Sequence, residues 1–184
     1  MSGQTIWLTG LSGAGKSTIA RAFADHLSDD GVPVQILDGD ELRRNLSAGL
    51  GFSRADRSTH VRRVGFVAQL LAHHGVTVIV PVIAPYSDAR DSVREHHEAA
   101  GTTYREVYVS TPLRVCQHRD VKGLYAQAAA GALTSMTGVD DPYEAPSQPD
   151  LAIDTDRVGL TDAVAALQAL RIAPELTHDE SEVA

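Results

Sequence analysis

Eight consecutive residues, Gly10-Leu-Ser-Gly-Ala-Gly15-Lys16-Ser17, match the pattern G-x-x-x-x-G-K-[ST] without a gap. Glycines at this spacing let backbone N–H groups turn inward around an anion. A following helix presents its positive N-terminal end to the same point. Lys16 then sets a mobile positive charge against the β- and γ-phosphates of a triphosphate, and the Ser17 hydroxyl can ligate magnesium. Gly10, Ser12, Gly13, Ala14, Gly15, Lys16, Ser17 and Thr18 are therefore the expected triphosphate-binding residues. The motif specifies triphosphate binding and leaves the fate of the γ-phosphate open.

Two carboxylates follow at Leu37-Asp38-Gly39-Asp40, just after an apolar run. In a doubly wound sheet, ligands sit beyond the carboxyl ends of the strands, so both should face the crevice that holds the glycine loop. One carboxylate can accept the proton of an attacking hydroxyl, and one can help hold hydrated magnesium. If strand geometry persists through the segment, the i, i+2 spacing puts both on one side. The alternative is a turn followed by a helix N-cap, a position to which Asp is equally suited. Downstream, Arg43, Arg44, Arg54, Arg57, Arg62 and Arg63 concentrate six of the chain's 16 Lys and Arg. Guanidinium groups bind anions in a bidentate manner, although some of these arginines are expected on a solvated helix face.

The elements that must position these residues are legible as an alternation. Thr5–Thr9, Val34–Leu37, Val76–Ile83, Tyr104–Val109 and Leu151–Ile153 read as strands, several apolar on both faces. Ser17–Leu27, Ser58–His74, Asp88–Ala100 and Leu160–Leu170 read as helices. Such alternation implies right-handed βαβ units in one three-layer α/β domain, a parallel sheet with helices on both faces, over residues 1–173. Residues 120–150 are rich in Gly, Pro, Ala and polar side chains, and a segment of that length suggests a mobile active-site lid. Residues 174–184 read as a solvated, disordered acidic tail.

Composition sets limits. The 184 residues, 43% hydrophobic and 22% charged, suit one packed domain. A formal net charge of −8 argues against a nucleic-acid partner, yet an acidic protein can bind anions where its arginines are gathered in one cleft. The single cysteine, Cys116, excludes an intramolecular disulfide and reads as a small core residue. No apolar run approaches the roughly 20 residues needed to span a bilayer, and no signal-like segment precedes the first strand. The cytoplasm is the expected compartment.

Taken together, the segments GLSGAGKST (10–18), DGDELRRNL (38–46), LGFSRADR (50–57), Arg62-Arg63, APYSDAR (84–90), KGLYAQAAAG (122–131) and TGVDDPYEAP (137–146) resemble the adenylylsulfate (APS) kinase family over about residues 3–155. The resemblance implies a P-loop kinase fold, ATP with Mg²⁺ as phosphoryl donor, and adenosine 5′-phosphosulfate as acceptor. The acceptor's ribose 3′-hydroxyl would be phosphorylated. It implies that Lys16, Asp38, Asp40 and Lys122 are catalytic, with Ser17 and Asp38 toward the metal. Arg43 and Arg57 would hold the phosphosulfate, and Phe52 would stack on the acceptor's adenine. Ile83, Gly123 and Leu124 would complete the acceptor side, with Lys122 to Tyr125 in the lid. Arg119 and the turn 142–146 would lie near the ATP base. A homodimer is compatible with the resemblance.

Four positions depart from the family's pattern. Ala84 stands where the family usually has a serine assigned as a phosphoenzyme site, so no covalent intermediate can form there; direct in-line transfer needs none. His60 replaces an acceptor-binding Asn, and could hydrogen-bond as neutral imidazole or attract a different anion as a cation. Met136 replaces a second aromatic over the adenine. Val121 replaces a lid Pro, removing a backbone constraint. The departures keep open a kinase of the same scaffold acting on another anionic or nucleoside-like alcohol. A catalytically idle nucleotide-binding module is the third reading.

Overall fold

The computed structural model describes residues 3–173. In chain order the elements are β1 (Gln4–Thr9), α1 (Lys16–Asp29), β2 (Val34–Ile36), α2 (Gly39–Leu46), α3 (Arg54–His73), β3 (Thr77–Pro81), α4 (Ser87–Ala99), β4 (Thr103–Val109), α5 (Leu113–Arg119), α6 (Leu124–Ala129), β5 (Leu151–Ile153) and α7 (Leu160–Ile172). The five strands form one parallel sheet in the order β2-β3-β1-β4-β5. This is the three-layer α/β P-loop kinase architecture.

Strand periodicity builds the two cores. Along β1, Ile6 and Leu8 point to one face, where α1 and α7 supply Ile19, Phe23, Leu27 and Leu167. Trp7 between them points to the other, where α3 and α4 supply Val61, Val64 and Val93. β3 divides likewise, with Ile79 on the first face and Val78 and Val80 on the second. A strand buried on both faces is predominantly apolar, which is why these runs read so clearly.

Helix α3 starts four residues earlier than the expected Ser58, because Ser53 caps it. The Ser53 Oγ accepts from the Asp56 N–H at 3.2 Å and donates to Asp56 Oδ2 at 2.7 Å. Helices α2, α5 and α6 were not expected from hydrophobic periodicity, being short. The acidic tail expected at 174–184 lies outside the described residues.

Candidate functional site

The glycine loop joins β1 to α1 at the centre of the sheet. Gly10 (φ 151°) and Gly15 (φ 104°) take positive φ, and a Cβ at Gly10 would meet the Val109 carbonyl oxygen at 2.5 Å. Only glycine fits there. The loop is braced from behind: the Thr111 and Thr155 hydroxyls both donate to the Ala14 carbonyl, at 3.0 and 2.9 Å. Lys16, 8% exposed, folds back so that its Nζ donates to the Gly10 and Leu11 carbonyls at 2.8 and 2.7 Å. Burial pushes its pKa down from 10.5 to about 7, Lys122 adding to the effect while Cys116 and Asp40 oppose it. Half-buried Ser17 and exposed Thr18 open α1 beside it.

Asp38 and Asp40 do not share one side of a continuing strand. β2 ends at Ile36, and Asp38 is the N-cap of α2, its Oδ1 accepting from the Asp40 and Glu41 N–H groups at 3.0 and 3.3 Å. The helix dipole and these bonds hold a carboxylate there at little cost. Asp40 sits in the first turn of α2, where its Oδ2 pairs with Lys122 Nζ. The expected strand extension failed because capping satisfies two otherwise orphaned N–H groups. The two carboxylates nevertheless lie at the carboxyl end of β2, and the charges of Asp40 and Lys122 are close enough to act on Lys16.

On the same side, Phe52 is 58% exposed, with the Arg43 and Arg57 guanidinium carbons 4.6 and 5.4 Å from its ring centroid. Arg43 spends one donor on the Gly51 carbonyl, at 2.9 Å. Arg57 is buried and more fully engaged. Its Nε donates to the Phe52 carbonyl (2.9 Å), Nη1 to Thr137 Oγ1 (3.2 Å) and Nη2 to the Ser135 carbonyl, with Asp141 3.8 Å away. It ties α3 to the turn at 135–141. His60 is buried with its Nδ1 2.9 Å from Ser47 Oγ. Burial, then Arg43 and Arg63, push its pKa down to about 4, so the cationic form weighed from sequence is not the one the site favours near neutrality. Met136 is buried in the core cluster with Ala14, Cys116 and Tyr125 and has no open face for a base. Ile83, half-buried after β3, accepts the Thr9 hydroxyl at 2.6 Å, and Ala84 follows at φ 44°.

The segment expected to be a lid is partly helical. Asp120 (φ 28°) accepts from the Tyr125 and Ala126 N–H groups at 3.0 and 2.9 Å, which starts α6. Val121 is 81% exposed, Gly123 takes φ 65°, Leu124 packs against the core, and the Tyr125 hydroxyl donates to the Ser12 carbonyl of the glycine loop at 3.0 Å. Arg119, at the end of α5, donates to Thr155 Oγ1 (2.7 Å), the Thr155 carbonyl (3.0 Å) and the Gly13 carbonyl (3.5 Å), on the β5 side of the loop. The turn 142–146 does not join it there. Tyr143 and Glu144 instead contact Thr9, Pro85 and Ser87, at the ends of β1 and β3.

Several site-forming residues were not singled out from sequence: Tyr86, whose hydroxyl donates to both Asp141 oxygens (2.9 and 3.0 Å), Thr155, Glu144 and Arg90. The family segments APYSDAR and PYE contained three of them, but no local pattern marks a polar residue whose partner is 50 residues away. Among the described residues no group of His, Cys, Asp and Glu is arranged to hold a metal by protein ligands alone, and no helix is long and apolar enough to cross a membrane.

The sequence and the fold are shared with known proteins. The family profile described as adenylylsulphate kinase matches residues 2–154. The adenylyl-sulfate kinase of Chloroflexus aurantiacus is 50% identical over 181 residues, covering 96% of this chain and 95% of the relative. That of Myxococcus xanthus is 56% identical over 155 residues, covering 84% and 83%. Among solved structures, the APS kinase of Mycobacterium tuberculosis in complex with AMPPNP and APS superposes with a TM-score of 0.90 at 44% identity, covering 94% of this chain and 99% of that one. A family profile spanning most of the chain, relatives at half identity and near-complete structural coverage agree: the chain belongs to the adenylylsulphate kinase family.

Proposed function

We propose that this chain transfers the γ-phosphoryl group of ATP to the 3′-hydroxyl of adenosine 5′-phosphosulfate, giving ADP and 3′-phosphoadenylylsulfate. The observation that carries the reading is the convergence of Lys16 on the glycine loop with the Asp40–Lys122 pair beyond the end of β2. The loop amides and Lys16 hold the β- and γ-phosphates. Asp40 orients the 3′-hydroxyl and takes its proton, a role better suited to it than to Asp38, whose Oδ1 already serves as a helix cap. Lys122 is placed to turn from Asp40 toward the charge on the transferring phosphoryl. Arg43 receives the phosphosulfate and Phe52 the adenine, while Arg57 holds the turn beyond them. With alanine at position 84, transfer is direct and in line.

Mg²⁺ fits the donors present. The Ser17 hydroxyl and Asp38 Oδ2 are hard oxygen donors without a hydrogen-bond partner among the described residues, and Mg²⁺ takes few protein ligands and keeps several waters. When bound it would neutralise charge on the β- and γ-phosphates. Residues 1–173 are read as one kinase domain in which residues at about 120–150 close as a lid. A cytoplasmic location is proposed together with this reading, and a homodimer is an assembly that sizing in solution would test.

The test is ADP release from ATP with APS, with and without Mg²⁺, against a panel of other alcohols, with mass spectrometry locating the new phosphate. APS-dependent ADP formation and a 3′-phosphate are expected. Release with another alcohol but not APS would move the chain to a second acceptor. The buried Met136, which leaves the adenine one platform instead of two, is what favours that second reading.

A further inference from the structure

Arg90 is 2% exposed and lies on α4, outside the groups that touch either nucleotide in the reading above. Its three nitrogens each have a different partner at 2.7 Å: Nε donates to Glu106 Oε1 on β4, Nη1 to the Ala84 carbonyl after β3, and Nη2 to the Glu144 carbonyl. Glu144 belongs to a strap, Asp141 to Glu144, that crosses the strand ends. Asp141 receives the Tyr86 hydroxyl and lies 3.8 Å from Arg57. The Tyr143 hydroxyl is 3.0 Å from Thr9 Oγ1. The Glu144 N–H donates to the Pro85 carbonyl at 2.8 Å, and its carboxylate takes the Ser87 N–H and hydroxyl and pairs with Arg54.

The strap thus lies over the β3 and β1 ends, beside Arg57 and next to the β2 end that carries Asp38 and Asp40. Arg119 and Thr155 occupy the opposite, β5 side of the loop. We propose that Arg90 is a positioning residue: its fork fixes the Ala84 turn and the strap to β4, and so holds the acceptor-side wall without touching the acceptor. The Ala84 backbone at φ 44° is one an alanine adopts only when its surroundings impose it, and the Arg90 bond to its carbonyl is part of that constraint. A lysine would keep the charge opposite Glu106 but has no planar fork to reach three separated acceptors.

The inference rests on the acceptor lying on the β2–β3 side, and the experiment separates the two. In Arg90→Lys, the KM for APS should rise about tenfold while the KM for ATP stays within about twofold, since small misplacements at a reacting centre are costly. The Glu144 amide, measured by hydrogen exchange, should lose protection relative to α7. The double variant Arg90→Met with Glu106→Gln removes both buried charges together, leaving neither orphaned, and should show the same split. If Arg90→Lys does not fold, the double variant decides. Unchanged KM values and unchanged exchange would overturn the proposal. So would equal rises in both KM values, the mark of a general structural role. If the unsubstituted protein does not act on APS, the acceptor reading fails by itself. Exchange at Glu144 in the variant then decides: faster exchange supports the positioning role, and unchanged exchange overturns it.

Discussion

In the proposed reaction one side chain, Lys16, serves both the loop carbonyls and the bound triphosphate. Its ammonium caps two loop carbonyls in a buried place, and burial brings its pKa to about 7. A triphosphate would surround the same nitrogen with negative charge and restore a high pKa. The sign follows directly. Below pH 7 the group is already protonated and ATP binding takes up no proton there. Above pH 7 each binding event must protonate it, so ATP affinity should fall as pH rises from 7 toward 9. Titration calorimetry in buffers of different ionisation enthalpy should show up to one proton taken up at pH 8 and close to none at pH 6, ATP's own titration being subtracted. Lys16→Met should abolish the uptake and lower turnover by roughly a thousandfold, on the scale of losing a principal transition-state charge contact. In the same proposal Phe52 answers to a different ligand. Exposed and flanked by Arg43 and Arg57, it offers stacking surface to a base, an interaction worth about 1–3 kcal/mol by alanine substitution. Phe52→Ala should therefore raise the KM for APS about tenfold or more and leave that for ATP nearly unchanged; equal effects on both would remove its stacking role.

At the scale of elements, the contact between α3 and α4 is set by one glycine. A Cβ at Gly65 would lie 2.5 Å from Val93 Cγ2 and 2.8 Å from its Cγ1. Alanine is the better helix former by about 1 kcal/mol, but overpacking costs about 1–3 kcal/mol, and a β-branched valine in a helix has no easy rotamer to escape to. The clash wins. Gly65→Ala should lower unfolding free energy by up to about 2 kcal/mol in denaturant titration, and the loss should shrink in a Val93→Ala background, a double-mutant cycle that identifies the partner. The same contrast between local and distant causes explains what could be read from sequence. The five strands and four long helices were legible because burial on both faces, or on one helical stripe, writes itself into consecutive residues. The glycine loop was legible because its backbone conformation demands glycine. Asp38 was ambiguous between strand end and helix cap, and only the bonds to the Asp40 and Glu41 N–H groups resolve it. Helix α6 was missed because it starts from a side-chain cap at Asp120 in a short alanine-rich run. Arg90 was passed over because an arginine on a helix resembles a solvated face until Glu106 arrives from β4.

At the scale of the whole molecule, two of the contacts by which the segment beyond α5 meets the body differ in kind. Tyr125 reaches the Ser12 carbonyl with a largely buried ring, whereas the Lys122–Asp40 pair joins side chains that are 56% and 66% exposed. An exposed ion pair contributes about 0–1 kcal/mol, because water screens it and two long side chains lose freedom in forming it. In the proposed reaction its value lies in what the lysine does once both nucleotides are in place. The two quantities can be separated in one variant. Lys122→Met should change the unfolding free energy by less than about 1 kcal/mol. The same substitution should cut turnover with saturating ATP and APS by on the order of a hundredfold, the range seen when a preorganised charge contact to a transition state is removed. Substrate KM values should move much less than kcat, since the contact strengthens only as the phosphoryl group leaves ATP. A variant that lost stability and activity in proportion would make Lys122 a structural tether, and one that kept full turnover would leave Asp40 and Lys16 to carry the transfer between them.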